Sequence, residues 1–269
     1  MQKVKLAAHR GYSSKYPENT MLAFREALKY DIDMVENDIH MTKDGELVLM
    51  HDHKVNRTTN GDGLVRELTL EQVRLLDAGS WKGEEFKGEQ VPTFREFCEL
   101  FKNYPDIEVN IELKDYPEES GAFAYESCDK VIAMIEEYGM ADRIYINSFS
   151  GDLLNYIHNC YRGKYRLHGY YPSQILGKRY NKFMLERLFC ACVFNVVFDE
   201  NGNGDWSHTG EVAPKERFDE VLDAGIEVWA HYREEIEDYY RKWLDYGVTG
   251  ITVNDVETAI AILKKLGAR

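Results

Sequence analysis

The chain has 269 residues, of which 44% are hydrophobic, enough for the core of one large α/β domain or of two small domains. It carries 47 acidic residues against 33 lysines and arginines, a formal net charge of -14. Such an acidic chain argues against nucleic acid or an anionic membrane as its main partner, because both bind basic patches. Composition sets no oligomeric state.

The cysteines favour a reducing compartment. Their odd number and scattered spacing do not suggest a disulfide framework; they are Cys98, Cys128, Cys160, Cys190 and Cys192. Cys190 and Cys192 are too close for a Cys-x2-Cys zinc pair, and we expect them to pack within a strand or a helix. The N-terminal segment has no apolar run typical of a signal peptide, and no run approaches the 20 or so residues that span a bilayer. We therefore expect a cytoplasmic location without stable membrane insertion.

Eight short β-rich runs recur along the chain, and several are continuously apolar, as parallel strands covered on both faces are. In chain order they are Val4–His9, Met34–Ile39, Val109–Leu113, Arg143–Ser148, Tyr165–Tyr170, Phe194–Phe198, Glu227–His231 and Gly250–Val253.

Stretches of helical periodicity separate these runs. Asn19 or Thr20 can cap a first helix, and Pro92-Thr93 precedes a second one, FREFCELF. Later candidates are ESCDKVIAMIEEYG, GDLLNYIHNCY, PKERFDEVLDAG and EEIEDYYRKWLDYG. Eight alternations of strand and helix in one chain predict a single domain over residues 1–269 with the (β/α)8 TIM-barrel fold. A doubly wound open sheet is the main alternative.

One segment interrupts the alternation. In HMTKDGELVLMHD, Asp44-Gly45 joins two β-like runs and predicts a hairpin. The polar residues 52–90 that follow contain a short helical pattern, TLEQVRLL. We interpret residues 52–90 as a small insertion after the second strand, lying over one face of the barrel.

Polar side chains gather where the predicted strands end. In TIM barrels the C-terminal strand ends carry the catalytic groups, so these side chains are expected to converge. They are His9 and Arg10 after the first strand, Glu36 and Asp38 on the second, His51 at the end of the hairpin, and Glu112 and Lys114 on the third.

Three clustered carboxylates are best explained by a bound hard cation, Mg2+ or Ca2+. Such a cation, with Arg10 and Lys114, would attract an anion rich in oxygen, and phosphate fits best. The two histidines are suited to act as proton donor and acceptor. Taken singly, each of these motifs is more often a turn, a solvated strand end or a local ion pair. Their ordered occurrence at successive strand ends favours the functional interpretation.

The first half of the sequence resembles the glycerophosphodiester phosphodiesterase family. The resemblance covers residues 8–114 and rests on five motifs in the family's order: HRGYSSKYPENTMLAF, VENDIHMTKDGELVLMHDHKVNRTTNGDG, LDAGSW, VPTFREF and NIELK. It implies a (β/α)8 barrel with an insertion at 52–90.

The resemblance also implies roles for the residues at the strand ends. Glu36, Asp38 and Glu112 would bind one divalent cation. His9 and His51 would form the acid–base pair, and Arg10 and Lys114 would contact the phosphate.

The second half departs from the family pattern at the predicted mouth of the barrel. Trp229-Ala230-His231-Tyr232 stands where the family commonly has Trp-Thr-Val-Asn, and Val253-Asn254-Asp255-Val256 lacks the usual Thr and Pro. We expect Trp229 to contact substrate, with core packing as the alternative. His231 is a candidate contact for the leaving group or a structural residue.

The implied reaction is the hydrolysis of a glycerophosphodiester to glycerol 3-phosphate and an alcohol, through a cyclic phosphate. Two alternatives stay open: a phospholipase D-like phosphodiesterase acting on lysolipids, and a phosphate-binding barrel without catalysis. The acidic, polar segments YPEES and NGNGDWSHTGE favour a small water-soluble substrate over a lipid.

Overall fold

The computed structural model describes residues 3–177, 182–231 and 234–269. Two compact units divide the chain: one comprises Ala8–Ile144, and the other comprises Met1–Ala7 with Tyr145–Arg269.

Eleven strands lie in the described residues. They are β1 (Lys5–His9), β2 (Met34–Met41), β3 (Leu47–Leu49), β4 (Glu108–Leu113), β5 (Ile144–Asn147), β6 (Arg166–Tyr171), β7 (Cys190–Val193), β8 (Val197–Phe198), β9 (Gly204–Asp205), β10 (Glu227–His231) and β11 (Gly250–Val253).

Nine α-helices lie in the same part of the chain. They are α1 (Met21–Ala27), α2 (Leu70–Arg74), α3 (Phe94–Phe101), α4 (Pro117–Ser120), α5 (Ala122–Glu137), α6 (Gly151–Cys160), α7 (Lys215–Asp223), α8 (Glu237–Asp245) and α9 (Val256–Lys265).

The parallel strands stand in the sheet in chain order, with β1 paired to both β2 and β11. This closed order of eight parallel strands with surrounding helices is the (β/α)8 TIM barrel, and it excludes the open doubly wound sheet.

In the unit Ala8–Ile144, β2 lies between β4 and β3 in the sheet. It pairs in parallel with β4, so that Asp38 lies opposite Glu112, and antiparallel with β3 through the turn at Asp44-Gly45. Gly45 has a φ of 85°, which a glycine adopts without strain. The predicted hairpin is therefore confirmed, and it returns the chain to the level where β2 ends.

Threonine caps begin the first long helices of this unit. Thr20 accepts the backbone N–H of Ala23 at the start of α1. Thr93 forms a reciprocal capping box with Glu96 at the start of α3, and Pro92 lies just before the cap. Caps of this kind contribute about 1 kcal/mol each to helix stability.

Residues 52–90 contain the short α2 and three 3-10 helices at Val55–Arg57, Val65–Glu67 and Glu84–Phe86. The predicted helical pattern TLEQVRLL is confirmed as α2, with a capping box at Thr69. Buried side chains from this segment, among them Val55, Val65 and Val73, pack with Val48 and Met50. That 52–90 is an insertion within one domain stays a prediction.

The other unit contains the one strand prediction that is wrong. The barrel strand is β7 (Cys190–Val193), with Cys190 and Cys192 buried in it, and not Phe194–Phe198. The chain leaves the barrel sheet after Val193, and Val197 is 53% exposed in a separate two-stranded ribbon, β8 with β9. The β-branched and aromatic residues of FNVVF have the higher strand propensity, whereas the small side chains of CACV fit the buried position.

The other seven predicted strands agree with the structure within about two residues. Among the described residues, no helix is both long and apolar enough to cross a membrane.

His168 on β6 predicts how acid affects stability. Burial, together with the smaller effect of the neighbouring His231 charge, lowers its pKa to about 3. The unfolded imidazole titrates near its usual value of about 6.5, so below that pH only the unfolded chain takes up this proton, and stability falls by about 1.4 kcal/mol per pH unit. Between about pH 7.5 and 5.5, His168→Gln should therefore lose about 1.4 kcal/mol less unfolding free energy than the wild type in urea titrations.

The exposed His208 provides the control, and His208→Gln should keep the wild-type pH dependence. Equal acid sensitivity in the wild type and His168→Gln would show that His168 is not held neutral by the fold.

Candidate active site

A tight turn after β1 presents two predicted site residues. His9 is the last residue of β1, and Arg10 and Gly11 follow with φ angles of 56° and 79°. A Cβ on Gly11 would stand 2.6 Å from the Ala23 carbonyl carbon, so only glycine fits. The left-handed conformation of Arg10 costs roughly 1–2 kcal/mol, the kind of strain that proteins retain at functional sites.

Glu36 holds the Arg10 backbone in this conformation. The Arg10 N–H donates to both the backbone oxygen and the Oε2 of Glu36, at 3.0 Å each. The ring of His9 also faces this side chain, with Nε2 3.9 Å from Glu36 Oε2.

Three predicted carboxylates meet beside this turn. Glu36 and Asp38 are two residues apart on β2, so their side chains point to the same face, and Asp38 lies opposite Glu112 of β4. One oxygen of each carboxylate lies within 4.8 Å of the other two, and all three residues are buried. At such a separation each pair of negative charges repels by about 4 kcal/mol for an effective dielectric constant near 20.

Two cations offset part of this repulsion. Lys114 Nζ lies 2.6 Å from Glu112 Oε1 and 3.5 Å from Asp38 Oδ1. Arg10 Nε lies 3.1 Å from Asp38 Oδ2. Burial alone would raise the pKa of Asp38, but the charges of Arg10 and Lys114 hold it well below its usual range.

The pKa of Glu36 shows that the two cations do not compensate all of the negative charge in the cluster. Its pKa is raised well above the usual value by burial and by the charges of Asp38 and Glu112. Three carboxylates against two cations leave a buried cluster one positive charge short. Asp38 Oδ1 is moreover buried without a hydrogen-bond partner. The oxygen donors, their spacing and this deficit of positive charge fit a hard divalent cation.

His51 follows the hairpin strand β3 and is held by the next residue. Its Nδ1 lies 2.6 Å from Asp52 Oδ1. Because a carboxylate only accepts hydrogen bonds, Nδ1 carries the proton, and Nε2 is the ring nitrogen suited to proton transfer. A protonated His51 ring would lower the pKa of Asp38, so the ring lies within electrostatic range of this carboxylate.

Sequence reasoning missed the residues that support these side chains. Glu18 accepts a hydrogen bond from Arg10, and Arg57 donates to both Glu18 and Asp52. Glu18 lies in the sequence PENT, and Arg57 lies in HDHKVNRTT. The spacing of these residues alone does not show which charges form pairs.

Of the two cap candidates, Asn19 and Thr20, only Thr20 caps the helix. Thr20 caps α1, whereas the buried Asn19 donates from Nδ2 to Asp38 Oδ2 at 2.8 Å. Its φ of 58° suits asparagine, which tolerates left-handed backbone better than most residues. Because both residues are polar and precede the helix, the sequence did not show which one caps it and which one binds the Asp38 carboxylate.

Trp229 lies on β10 in the other unit. It is 1% exposed, packs against Tyr145 and His168, and donates from Nε1 to Glu227. This setting matches the packing alternative, and a direct contact with substrate stays a prediction. His231 lies within hydrogen-bond distance of the Thr252 carbonyl through Nδ1, while Tyr232 lies outside the described residues.

Seven of the eight predicted site residues thus belong to the unit Ala8–Ile144, grouped around the β1, β2 and β4 ends and the hairpin. Residues 9–258 match the model of the Glycerophosphoryl diester phosphodiesterase family. The chain belongs to this family.

Curated relatives carry the family's name over part of the chain. A glycerophosphodiester phosphodiesterase from Caldanaerobacter subterraneus subsp. tengcongensis is 45% identical over 149 residues, covering 55% of this chain and 59% of the relative. One from Bacillus altitudinis is 39% identical over 155 residues, covering 57% and 61%. The chain thus spans about three fifths of the length of these two family members.

Solved structures share the fold at low sequence identity. A phosphodiesterase from Oleispira antarctica, in complex with the product sn-glycerol-3-phosphate, has a TM-score of 0.78 at 22% identity and covers 97% of this chain and 96% of its own. At this identity the likeness establishes the shared barrel of the family.

The uncompensated charge at Glu36 predicts an unusual substitution. Without divalent cations, Glu36→Gln should raise the free energy of unfolding, because it removes one buried negative charge and keeps an oxygen for the Arg10 N–H. A carboxyl pKa raised in the folded state means that wild-type stability falls as pH rises above about 4.3, by up to about 1.4 kcal/mol per unit. The gain from Glu36→Gln should therefore grow from acid to neutral pH in urea titrations with EDTA.

Glu137→Gln, at an exposed ion pair with Arg95, serves as the control and should show no such gain. If Glu36→Gln unfolds more easily than the wild type in EDTA at neutral pH, the carboxylate repulsion described here is wrong.

Proposed function

We propose that the chain hydrolyses glycerophosphodiesters to glycerol 3-phosphate and an alcohol in a reaction that requires a divalent cation. The observation that carries this proposal is the buried cluster of Glu36, Asp38 and Glu112 flanked by Arg10 and Lys114. Its charge deficit suits a cation, and its two fixed basic side chains suit the phosphate of the substrate.

Glu36, Asp38 and Glu112 would hold one ion, Mg2+ or Ca2+, both of which prefer oxygen ligands. When bound, such an ion polarises a phosphoryl oxygen and lowers the pKa of a coordinated hydroxyl. Arg10 and Lys114 would bind the remaining phosphoryl oxygens and stabilise their charge in the transition state. Arg10 is well placed for this, because its turn and its ion pair with Asp38 fix the side chain.

His9 and His51 would transfer the protons in two steps. In the first step, one imidazole takes the proton of the glycerol 2-hydroxyl, whose oxygen attacks phosphorus, while the other protonates the departing alcohol. This forms a cyclic glycerol phosphate. In the second step the roles reverse: the now neutral imidazole takes a proton from the attacking water, and the other returns its proton to the ring oxygen that leaves.

The side chains around both histidines support this assignment. Asp52 fixes the ring of His51 with the proton on Nδ1, and His9 Nε2 faces Glu36. Each ring therefore stands next to a carboxylate that can fix its orientation.

The glycerol part of the substrate is supported by the relatives. The curated relatives are named glycerophosphodiester phosphodiesterases, and the Oleispira antarctica phosphodiesterase was solved with sn-glycerol-3-phosphate. The substrates would be the soluble headgroup diesters left when membrane lipids lose their acyl chains, which places the reaction in lipid and glycerol metabolism. We also propose the cytoplasm as its compartment, since the odd number and scattered spacing of the cysteines favour a reducing environment.

Substrate and cation dependence can be measured together. The protein should release glycerol 3-phosphate from glycerophosphocholine and glycerophosphoethanolamine, with little action on lysophosphatidylcholine, and EDTA should abolish turnover until Mg2+ or Ca2+ is restored. The same ion should raise the melting temperature, because a ligand at 100 times its Kd stabilises the folded state by about 2.7 kcal/mol. Glu112→Gln should reduce this rise, and Glu137→Gln should not.

Full activity in EDTA would contradict the cation site. Faster turnover of lysophosphatidylcholine than of either glycerol diester would favour the phospholipase D-like alternative.

Replacing the histidines tests the proton transfers. His9→Ala and His51→Ala should each lower kcat at least about a hundredfold with little change in melting temperature. His208→Ala, at an exposed histidine, should keep wild-type kcat. With a nitrophenyl diester of glycerol phosphate, whose leaving group needs no proton, the first step should recover in only one of the two variants and so identify the general acid. Wild-type turnover by His51→Ala on natural diesters would exclude its assigned role.

A further inference from the structure

Arg57 lies at the centre of a series of hydrogen-bonded charged side chains. It has no role in the proposed mechanism above. Its three guanidinium nitrogens are all engaged by two carboxylates. Nη1 and Nη2 donate to the two oxygens of Glu18 at 3.0 and 2.7 Å. Nε and Nη2 donate to the two oxygens of Asp52 at 2.6 and 3.0 Å. Two bidentate pairs on one guanidinium fix both carboxylates in position and orientation.

Each carboxylate passes this constraint to a different part of the site. Asp52 Oδ1, which accepts from Arg57, also lies 2.6 Å from Nδ1 of His51. Glu18 Oε1, which likewise accepts from Arg57, also accepts from Nη1 of Arg10 at 2.7 Å. On each side, one carboxylate oxygen therefore contacts both Arg57 and the site residue.

We propose that Arg57 is a positioning residue that orients His51 through Asp52 and Arg10 through Glu18. The inference rests on the proposed function and adds to it that one side chain from the segment 52–90 sets both a proton-transfer group and a phosphate-binding group.

A purely stabilising ion pair does not account for this geometry. The Arg57 and Asp52 side chains are 43% and 30% exposed and Glu18 is 12% exposed, so solvent screens part of what these pairs contribute to folding stability. Displacing a reacting group by about 1 Å, in contrast, can cost about a hundredfold in rate. Loss of Arg57 should therefore affect catalysis far more than stability.

The neighbouring Arg74 offers a matched control. It lies in the same segment, is 30% exposed, and also makes a bidentate pair, with Glu96, that contacts no site residue. A general effect of removing an arginine from this segment would appear equally in Arg74→Ala.

Steady-state kinetics on glycerophosphocholine, with melting temperatures, provide the first test. Arg57→Ala should lower kcat and raise KM, with kcat/KM falling about tenfold to a hundredfold, and should melt close to Arg74→Ala, which keeps wild-type kinetics. Asp52→Asn should act mainly on kcat and Glu18→Gln mainly on KM. Each should be less than additive with Arg57→Ala, and Arg57→Lys should recover only part of the loss, because an ammonium cannot bind two carboxylates bidentately.

The tautomer of the His51 ring provides a second test that needs no turnover. In two-bond 1H–15N NMR spectra at alkaline pH, wild type and Arg74→Ala should show the proton on Nδ1, with the His51 signals assigned from His51→Gln. Arg57→Ala should show a mixture of tautomers.

An unchanged tautomer in Arg57→Ala would overturn the inference whether or not the protein is active. So would kinetics within twofold of wild type, or double variants whose effects simply add. If neither the wild type nor Arg74→Ala hydrolysed any diester, that result would count against the proposed function. The NMR result would then decide the role of Arg57.

Discussion

The repulsion among Glu36, Asp38 and Glu112 is the constraint on which the site depends. Parallel pairing of β2 with β4 forces these carboxylates together in a buried place, where their negative charges cost free energy unless cations balance them. Arg10 and Lys114 balance two of the three charges. The remaining deficit is the reason for proposing that the cluster binds a divalent cation, and the same two basic side chains are the reason for proposing that phosphate binds beside it.

Much of the fold was predictable because its signals are local. Continuously apolar runs, helix caps and the Asp-Gly turn predict seven of the eight barrel strands, the hairpin and the starts of α1 and α3. The strand at Cys190–Val193 was missed because packing, not propensity, selects it: small side chains fit the buried position, while the β-branched stretch after it lies partly exposed. Residues 52–90 gave little beyond one helix, since short 3-10 turns have no periodicity to detect.

The site divides in the same way. Side chains that alternate on a strand or end it, such as Glu36 and Lys114, could be assigned from spacing, and the resemblance to the family gave them roles. Their supporting partners could not, because tertiary contacts bring Asn19 to Asp38 and Arg57 to Glu18 across 19 and 39 residues of chain. Buried side chains such as Val55 and Val73, which pack with Val48 and Met50, explain why a stretch of little regular structure keeps a defined place beside the hairpin. Trp229 is a prominent aromatic residue whose setting is that of a core side chain, and its contact with substrate stays a prediction.

The central claim is that the three carboxylates hold a divalent cation within reach of a phosphate bound by Arg10 and Lys114. The most direct measurement is a crystal structure with Mn2+ and glycerol 3-phosphate, using anomalous scattering to locate the ion. The account predicts an anomalous peak at bonding distance from Glu36, Asp38 and Glu112, with a phosphate oxygen on the ion and the others on the two basic side chains. A cluster closed by Lys114 with no ion, while the ligand binds elsewhere, would contradict it.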